Sequence, residues 1–164
     1  MPDAHGPWWR GTRGEWWVVG QVALILAVFV GPRAPAGWAP WPEVPARVAT
    51  VLGVGLIAAG GGLLLAGLVR LGPALTPLPC PKRDLALVET GPYALVRHPM
   101  YGGGVVLAFG WALFVHGWLT LGYAVVLFVY LDVKSRREER WLEACYPGYA
   151  AYRRRVRKLL PFVY

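Results

Sequence analysis

Charge is scarce in this 164-residue chain, and negative charge is scarcer still. Asp, Glu, Lys and Arg together make up 16% of it, against about 25% in an ordinary soluble domain. Cysteine is nearly missing. Cys80 and Cys145 form no CxxC pair, which argues against a disulfide framework or a metal site. The beginning of the chain shows no secretory apolar region bounded by a small-residue cleavage site, so the first apolar run is expected in the mature protein. Apolar material fills the space left by charge: 56% of residues are hydrophobic and the mean hydropathy is +0.42. So short a chain cannot enclose every apolar run in one core. A bilayer removes that difficulty, because lipid is itself the apolar solvent. The formal net charge of +8 sits beside long apolar segments. Anionic lipid headgroups, not nucleic acid, are therefore the expected partner.

The apolar runs suggest about four membrane helices. Val48 to Val69 carries no charge and is long enough to cross a hydrocarbon layer of about 30 Å. Ala58, Gly62 and Ala66 recur along it at every fourth residue, a small-residue ridge that another helix can approach. Trp16 to Val30 is a shorter run with one strongly polar residue, Gln21. Trp8, Trp9, Trp16 and Trp17 suit one membrane–water interface; Trp38 and Trp41, in the proline-rich loop that follows, suit the other. Gly102 to Leu131 is uncharged but too short for two full spans. A turn at His116-Gly117 would fold it into a helical hairpin, with the second arm extended through Asp132 to Leu142. With these spans, Arg33 and Arg47 lie on one side, and the other 15 of the 17 basic residues share the side of both termini. That bias places the termini and the central loop in the cytoplasm, in what composition suggests is a bacterial inner membrane. After Pro147, Tyr149, Tyr152, Val156 and Leu159 or Leu160 share a helical face while Arg153 to Arg155, Arg157 and Lys158 occupy the rest. This spacing predicts a basic amphipathic helix on the membrane surface. The expected architecture is a single all-α membrane domain: residues 1–71 hold two spans, and residues 72–164 hold the hairpin and the tail.

Two clusters could carry chemistry. Pro99 suits the first turn of a helix, which puts Arg97, His98 and Tyr101 at its mouth, where free amides and Arg97 favour an anion. Lys134, Arg136, Arg137, Glu138, Glu139 and Arg140 follow the last span, with Lys134 and Glu138 on one face. Adjacent Glu138 and Glu139 point in different directions and do not form an acid–base pair. A short hairpin would bring the two clusters together. On charge alone, interfacial anchoring accounts for both. His116, at the far apex, reads as structural.

The stretch Gly91-Pro92-Tyr93 through Arg97-His98-Pro99-Met100-Tyr101-Gly102 resembles the RHPxYxG signature of the isoprenylcysteine carboxyl methyltransferases and the related membrane phospholipid methyltransferases. Glu138-Glu139-Arg140-Trp141-Leu142 resembles the EExxL that follows in those families, and Tyr146-Pro147-Gly148-Tyr149 with Tyr152, Val156 and Pro161 resembles their aromatic tail. The likeness runs from Thr76 to Pro161. It implies methyl transfer from S-adenosylmethionine, leaving S-adenosylhomocysteine, to a lipophilic acceptor, with no metal. By position, Leu87, Val88, Tyr93, His98, Tyr101 and Glu138 would bind the cofactor, and Arg97, Glu138 and Glu139 would serve catalysis. Lys134 stands where eukaryotic members have an arginine that meets the acceptor carboxylate. Lysine keeps the charge but loses the two-pronged geometry, for which Arg97, Arg136 or Arg137 could compensate. The resemblance thus implies an isoprenylcysteine-type carboxylate acceptor, with a phospholipid amine as the alternative. A non-catalytic membrane module that binds lipid or a partner is the competing class.

Overall fold

A computed structural model describes residues 14–72 and 87–164. Trp8, Trp9 and the proline-rich stretch around Cys80 lie outside them. Among the described residues there are six helices and no strand: α1 (Glu15–Val30), α2 (Glu43–Leu71), α3 (Pro92–Leu95), α4 (Pro99–Phe114), α5 (Trp118–Cys145) and α6 (Tyr149–Arg155).

The helix limits follow local chemistry. Gly31 closes α1 by donating its amide to the Ala27 carbonyl, and Pro32 follows it. Gly91 adopts φ +65°, open to glycine, and lets Pro92 begin α3. Pro99 opens α4 as expected. The hairpin turn falls at His116-Gly117, as the sequence predicts: α4 ends at Phe114, His116 takes φ +53°, and α5 starts at Trp118.

Helices α2 and α5 are long and apolar enough to cross a membrane. Large apolar side chains on α2 face outward, Val51 at 73% exposure and Val69 at 79%. A soluble protein would not leave such a surface to water, so these residues face lipid. Helices α1 and α4 are apolar but shorter. At 16 residues each they reach about 24 Å. Among the described residues four helices are thus apolar, two of them of spanning length.

The small-residue ridge expected from Ala58, Gly62 and Ala66 is not where α2 packs. Those three are exposed. The packed face is Gly53, Gly60 and Gly67, spaced by seven, against Gly103 and Gly110 of α4. A Cβ on Gly60 would lie 2.5 Å from the Leu107 amide nitrogen, and one on Gly103 would lie 2.6 Å from the Gly60 carbonyl oxygen. Here the backbones themselves touch, which any side chain would prevent. The remaining core joins Val28 of α1, Val105 and Ala108 of α4, and Ala124, Leu127 and Leu131 of α5.

The tail departs from the expected amphipathic helix. Helix α6 has seven residues. The chain then runs extended, and Arg157 forms a parallel bridge with Val96. Tyr149, Tyr152 and Leu159 are buried, so the apolar face covers protein. Lys158 is buried as well, and donates to the Asp132 side chain at 2.5 Å and to its carbonyl at 2.9 Å. A partner 26 residues away has drawn this cation inward.

Candidate functional site

At the end of the hairpin away from His116, polar, charged and aromatic side chains from α1, α4, α5 and the tail meet. The apolar part of α5 ends at Leu131, and its remaining residues project beyond it with Lys134, Glu138 and Glu139 on inward faces. The segment just before α4 supplies Arg97 and His98. It is held by the tail: the Arg97 amide donates to the Arg157 carbonyl (2.8 Å) and the His98 amide to the Lys158 carbonyl (3.0 Å).

Glu139 is the centre of this knot. Its Oε1 accepts from Arg97 Nε at 2.8 Å and from His98 Nε2 at 3.3 Å, while Arg153 Nε lies 3.6 Å from its Oε2. Burial by itself would raise the Glu139 pKa. The hydrogen bonds from His98 and Arg97 outweigh it and hold the carboxyl at about 2, below its ordinary 4.5. Arg97 also donates Nη1 to the Arg153 carbonyl (3.2 Å) and to the Val156 carbonyl, so the guanidinium fastens the tail.

Glu138 faces another way, as adjacent helical residues must. Its Oε1 accepts from the Tyr101 hydroxyl at 2.6 Å and lies 3.9 Å from Lys134 Nζ; its Oε2 lies 3.8 Å from His98 Nδ1. The His98 and Tyr101 rings stack, with 5.6 Å between centroids and 5° between planes. Lys134 Nζ sits 5.1 Å from the Tyr101 ring centroid and donates to Gln21 Oε1 at 2.5 Å. Imidazole, phenol, ammonium and carboxylate therefore share one buried place.

Arg97, His98, Tyr101, Lys134, Glu138 and Glu139 are thus brought together. Tyr93 lies on the flank: it is buried near the Gly67 carbonyl (3.5 Å), and its own carbonyl accepts from the Tyr152 hydroxyl at 2.6 Å. Burial pushes the Tyr93 phenol up to about 12. Leu87 and Val88 are half-buried in the irregular segment before α3. Arg137 packs over Trp141 at 5.2 Å, and among the described residues no contact joins it to the cluster.

One participant, Gln21, escapes a reading by motif, and one member of the aromatic tail lies closer to the site than its motif implies. Gln21 reaches the site from α1, and its only sequence signal is that it is the polar residue in an apolar run. The Tyr149 hydroxyl is buried against the Arg97 guanidinium and near Glu139.

Apolar helices facing lipid, with a buried polar centre at one end, define a helical integral membrane protein. The phospholipid methyltransferase family model matches residues 48–148, more than half of the chain, and the chain belongs to that family. It is also similar to the Protein-S-isoprenylcysteine O-methyltransferase of Schizosaccharomyces pombe, 29% identical over 114 residues. That match covers 67% of this chain and 48% of the yeast protein, so the chain spans about half the length of this relative. Gln21 lies outside the family match.

Proposed function

We propose that the chain moves a methyl group from S-adenosylmethionine to a lipophilic acceptor, an isoprenylcysteine-type carboxylate. The observation that carries this reading is the buried meeting of His98, Tyr101, Lys134 and Glu138 over the Arg97–Glu139 pair. Residues 72–164 would form the catalytic core and residues 1–71 its support, with the charged end in the cytoplasm of a bacterial inner membrane.

The donor set fits S-adenosylmethionine. Its carboxylate suits His98 and the Arg97 guanidinium. Its ammonium or ribose hydroxyls suit Glu138, and its adenine suits the flank of Tyr93 and Tyr101, with Leu87 and Val88 beside them. When bound, the cofactor supplies an electrophilic methyl on a sulfonium. The chain's part is then alignment and exclusion of water. Lys134 would hold the acceptor's head while its tail stays in lipid, with Arg137 as a second cation near the entry. Holding two reactants in line is worth several kcal/mol, up to about 10. A carboxylate acceptor is already nucleophilic and requires no base.

A phospholipid amine is the second reading, favoured by the family description and by Lys134. Lysine lacks the two-pronged carboxylate geometry, and this one is already engaged by Gln21. An amine acceptor must lose a proton, for which Glu138 is the best-placed carboxylate.

The test incubates detergent-purified protein with methyl-labelled S-adenosylmethionine and either a farnesylated cysteine analogue or phosphatidylethanolamine. A carboxyl methyl ester releases its label in mild base; an N-methyl group retains it. The proposal expects base-labile label on the prenylated thioether. Base-stable label on the lipid would establish the second reading, and absence of label from both would refute methyl transfer to either class.

A further inference from the structure

We propose that a second site, the arginine-rich cleft between the tail and α5, binds a phosphate oxyanion carried by the headgroup of an anionic lipid. The cleft has a volume of about 540 Å³. Seven cations line it against one carboxylate, Glu139. Three more carboxylates reach these cations from behind: Asp132 pairs with Arg136 and Lys158, Glu143 with Arg153, and Glu89 with Arg155. Among the described residues, seven cationic side chains against four carboxylate side chains leave an excess of three positive charges. Arg154 and Arg157 are exposed on this wall and have no carboxylate within ion-pair distance among the described residues. A planar guanidinium meets two phosphate oxygens at once, so two free ones favour phosphate over a halide or a lone carboxylate.

The mouth of the cleft points to a lipid as the carrier. Val163 and Tyr164 line it, and Phe162 beside them is 86% exposed. Beside them Arg136, which donates to the Tyr164 hydroxyl at 3.4 Å, stands three residues, about one turn, beyond Val133, whose side chain faces outward. The cleft therefore sits where the apolar surface of α5 gives way to charge, the depth of a headgroup. An apolar lip beside a cationic hollow suits an amphiphile better than a free ion. The cleft adjoins the proposed reaction site through Arg97 and Glu139, but Arg154 and Arg157, which would hold the phosphate, take no part in the proposed methyl transfer.

Calorimetry on the detergent-purified chain tests it, with dihexanoyl phosphatidylglycerol, dihexanoyl phosphatidylcholine and inorganic phosphate as probes. The expected result is binding of the phosphatidylglycerol, weakened at least about tenfold in Arg154→Gln/Arg157→Gln. The control pair Arg33→Gln/Arg140→Gln removes the same charge elsewhere and should leave binding intact. The neutral phosphatidylcholine should bind more weakly. Inorganic phosphate that displaces the lipid with equal affinity would support the same oxyanion site with a soluble source. Absence of binding, equal loss in both pairs, or no loss in the first pair would overturn the proposal. All four arginines are on the surface, and an unchanged melting temperature verifies that each variant is folded.

Discussion

One histidine stands at each end of the α4–α5 hairpin, and their surroundings differ in kind. At the turn, His116 Nε2 donates to the Ala46 carbonyl at 2.9 Å and lies 2.9 Å from Thr50 Oγ1, with its ring beside Trp41. Trp41 in turn packs on Trp118, with 4.8 Å between ring centroids. Every partner there is neutral, and the result is a pinned corner. At the other end, His98 lies between two carboxylates and stacks on a phenol. Buried charge at that concentration costs solvation that a merely structural end avoids, as the His116 corner does with neutral groups. The contrast separates the end that holds the hairpin from the end that can perform chemistry.

Removing Glu139 attacks that contrast hardest. Glu139→Ala leaves Arg97 buried without its carboxylate and should destabilise the protein by about 3–5 kcal/mol, seen as a lower melting temperature by circular dichroism in detergent. The pH dependence has a definite sign. The folded pKa of Glu139 is lowered from 4.5 to about 2, so its stabilisation is complete above the unfolded value and is lost as pH falls from about 4.5 towards 2. Melting curves of the wild type should steepen their decline in that window, and Glu139→Gln should flatten it.

Glu138 should show the opposite balance. It holds Tyr101 and faces Lys134 and carries less of the tail. Glu138→Gln should lower methyl transfer per folded molecule by about 10–100-fold, the worth of one charge-assisted contact, and by more than Glu139→Gln does. The reverse order would mean that the wrong carboxylate is assigned to the reaction.

The glycine seam gives a smaller, purely structural comparison. Gly60→Ala forces backbone apart and should cost about 1–3 kcal/mol. Gly62→Ala has open space around its new methyl and should be neutral or slightly stabilising. Similar melting temperatures for both would show that the seam is looser than its geometry. Smallest of all, His116→Ala should lose about 1 kcal/mol through its hydrogen bonds. Methyl transfer per folded molecule should not change.

These comparisons also mark what could be read in the sequence. The hairpin and the meeting of Arg97-His98 with Glu138-Glu139 were legible because both follow from local signals: a turn dipeptide inside an uncharged run, and charge at its two ends. The packing face of α2 was not. A helix with so many small residues offers several ridges, and the choice of Gly53, Gly60 and Gly67 depends on Gly103 and Gly110 in another helix. The tail misled for a similar reason. Its arginines and tyrosines have amphipathic spacing, but Asp132 holds Lys158 inward and the Val96 bridge extends the chain after Arg155. Gln21 was visible as an oddity, but only the crossing of α1 and α5 reveals Lys134 as its partner.

If the two ends differ as proposed, the His98 end binds the methyl donor's product and the His116 end does not. Calorimetry with S-adenosylhomocysteine on the wild type, His98→Ala and His116→Ala tests it directly. The expected result is binding by the wild type, at least about tenfold weaker binding by His98→Ala at an unchanged melting temperature, and wild-type affinity in His116→Ala. Equal affinity in the wild type and His98→Ala, or no binding by the folded wild type, would contradict it.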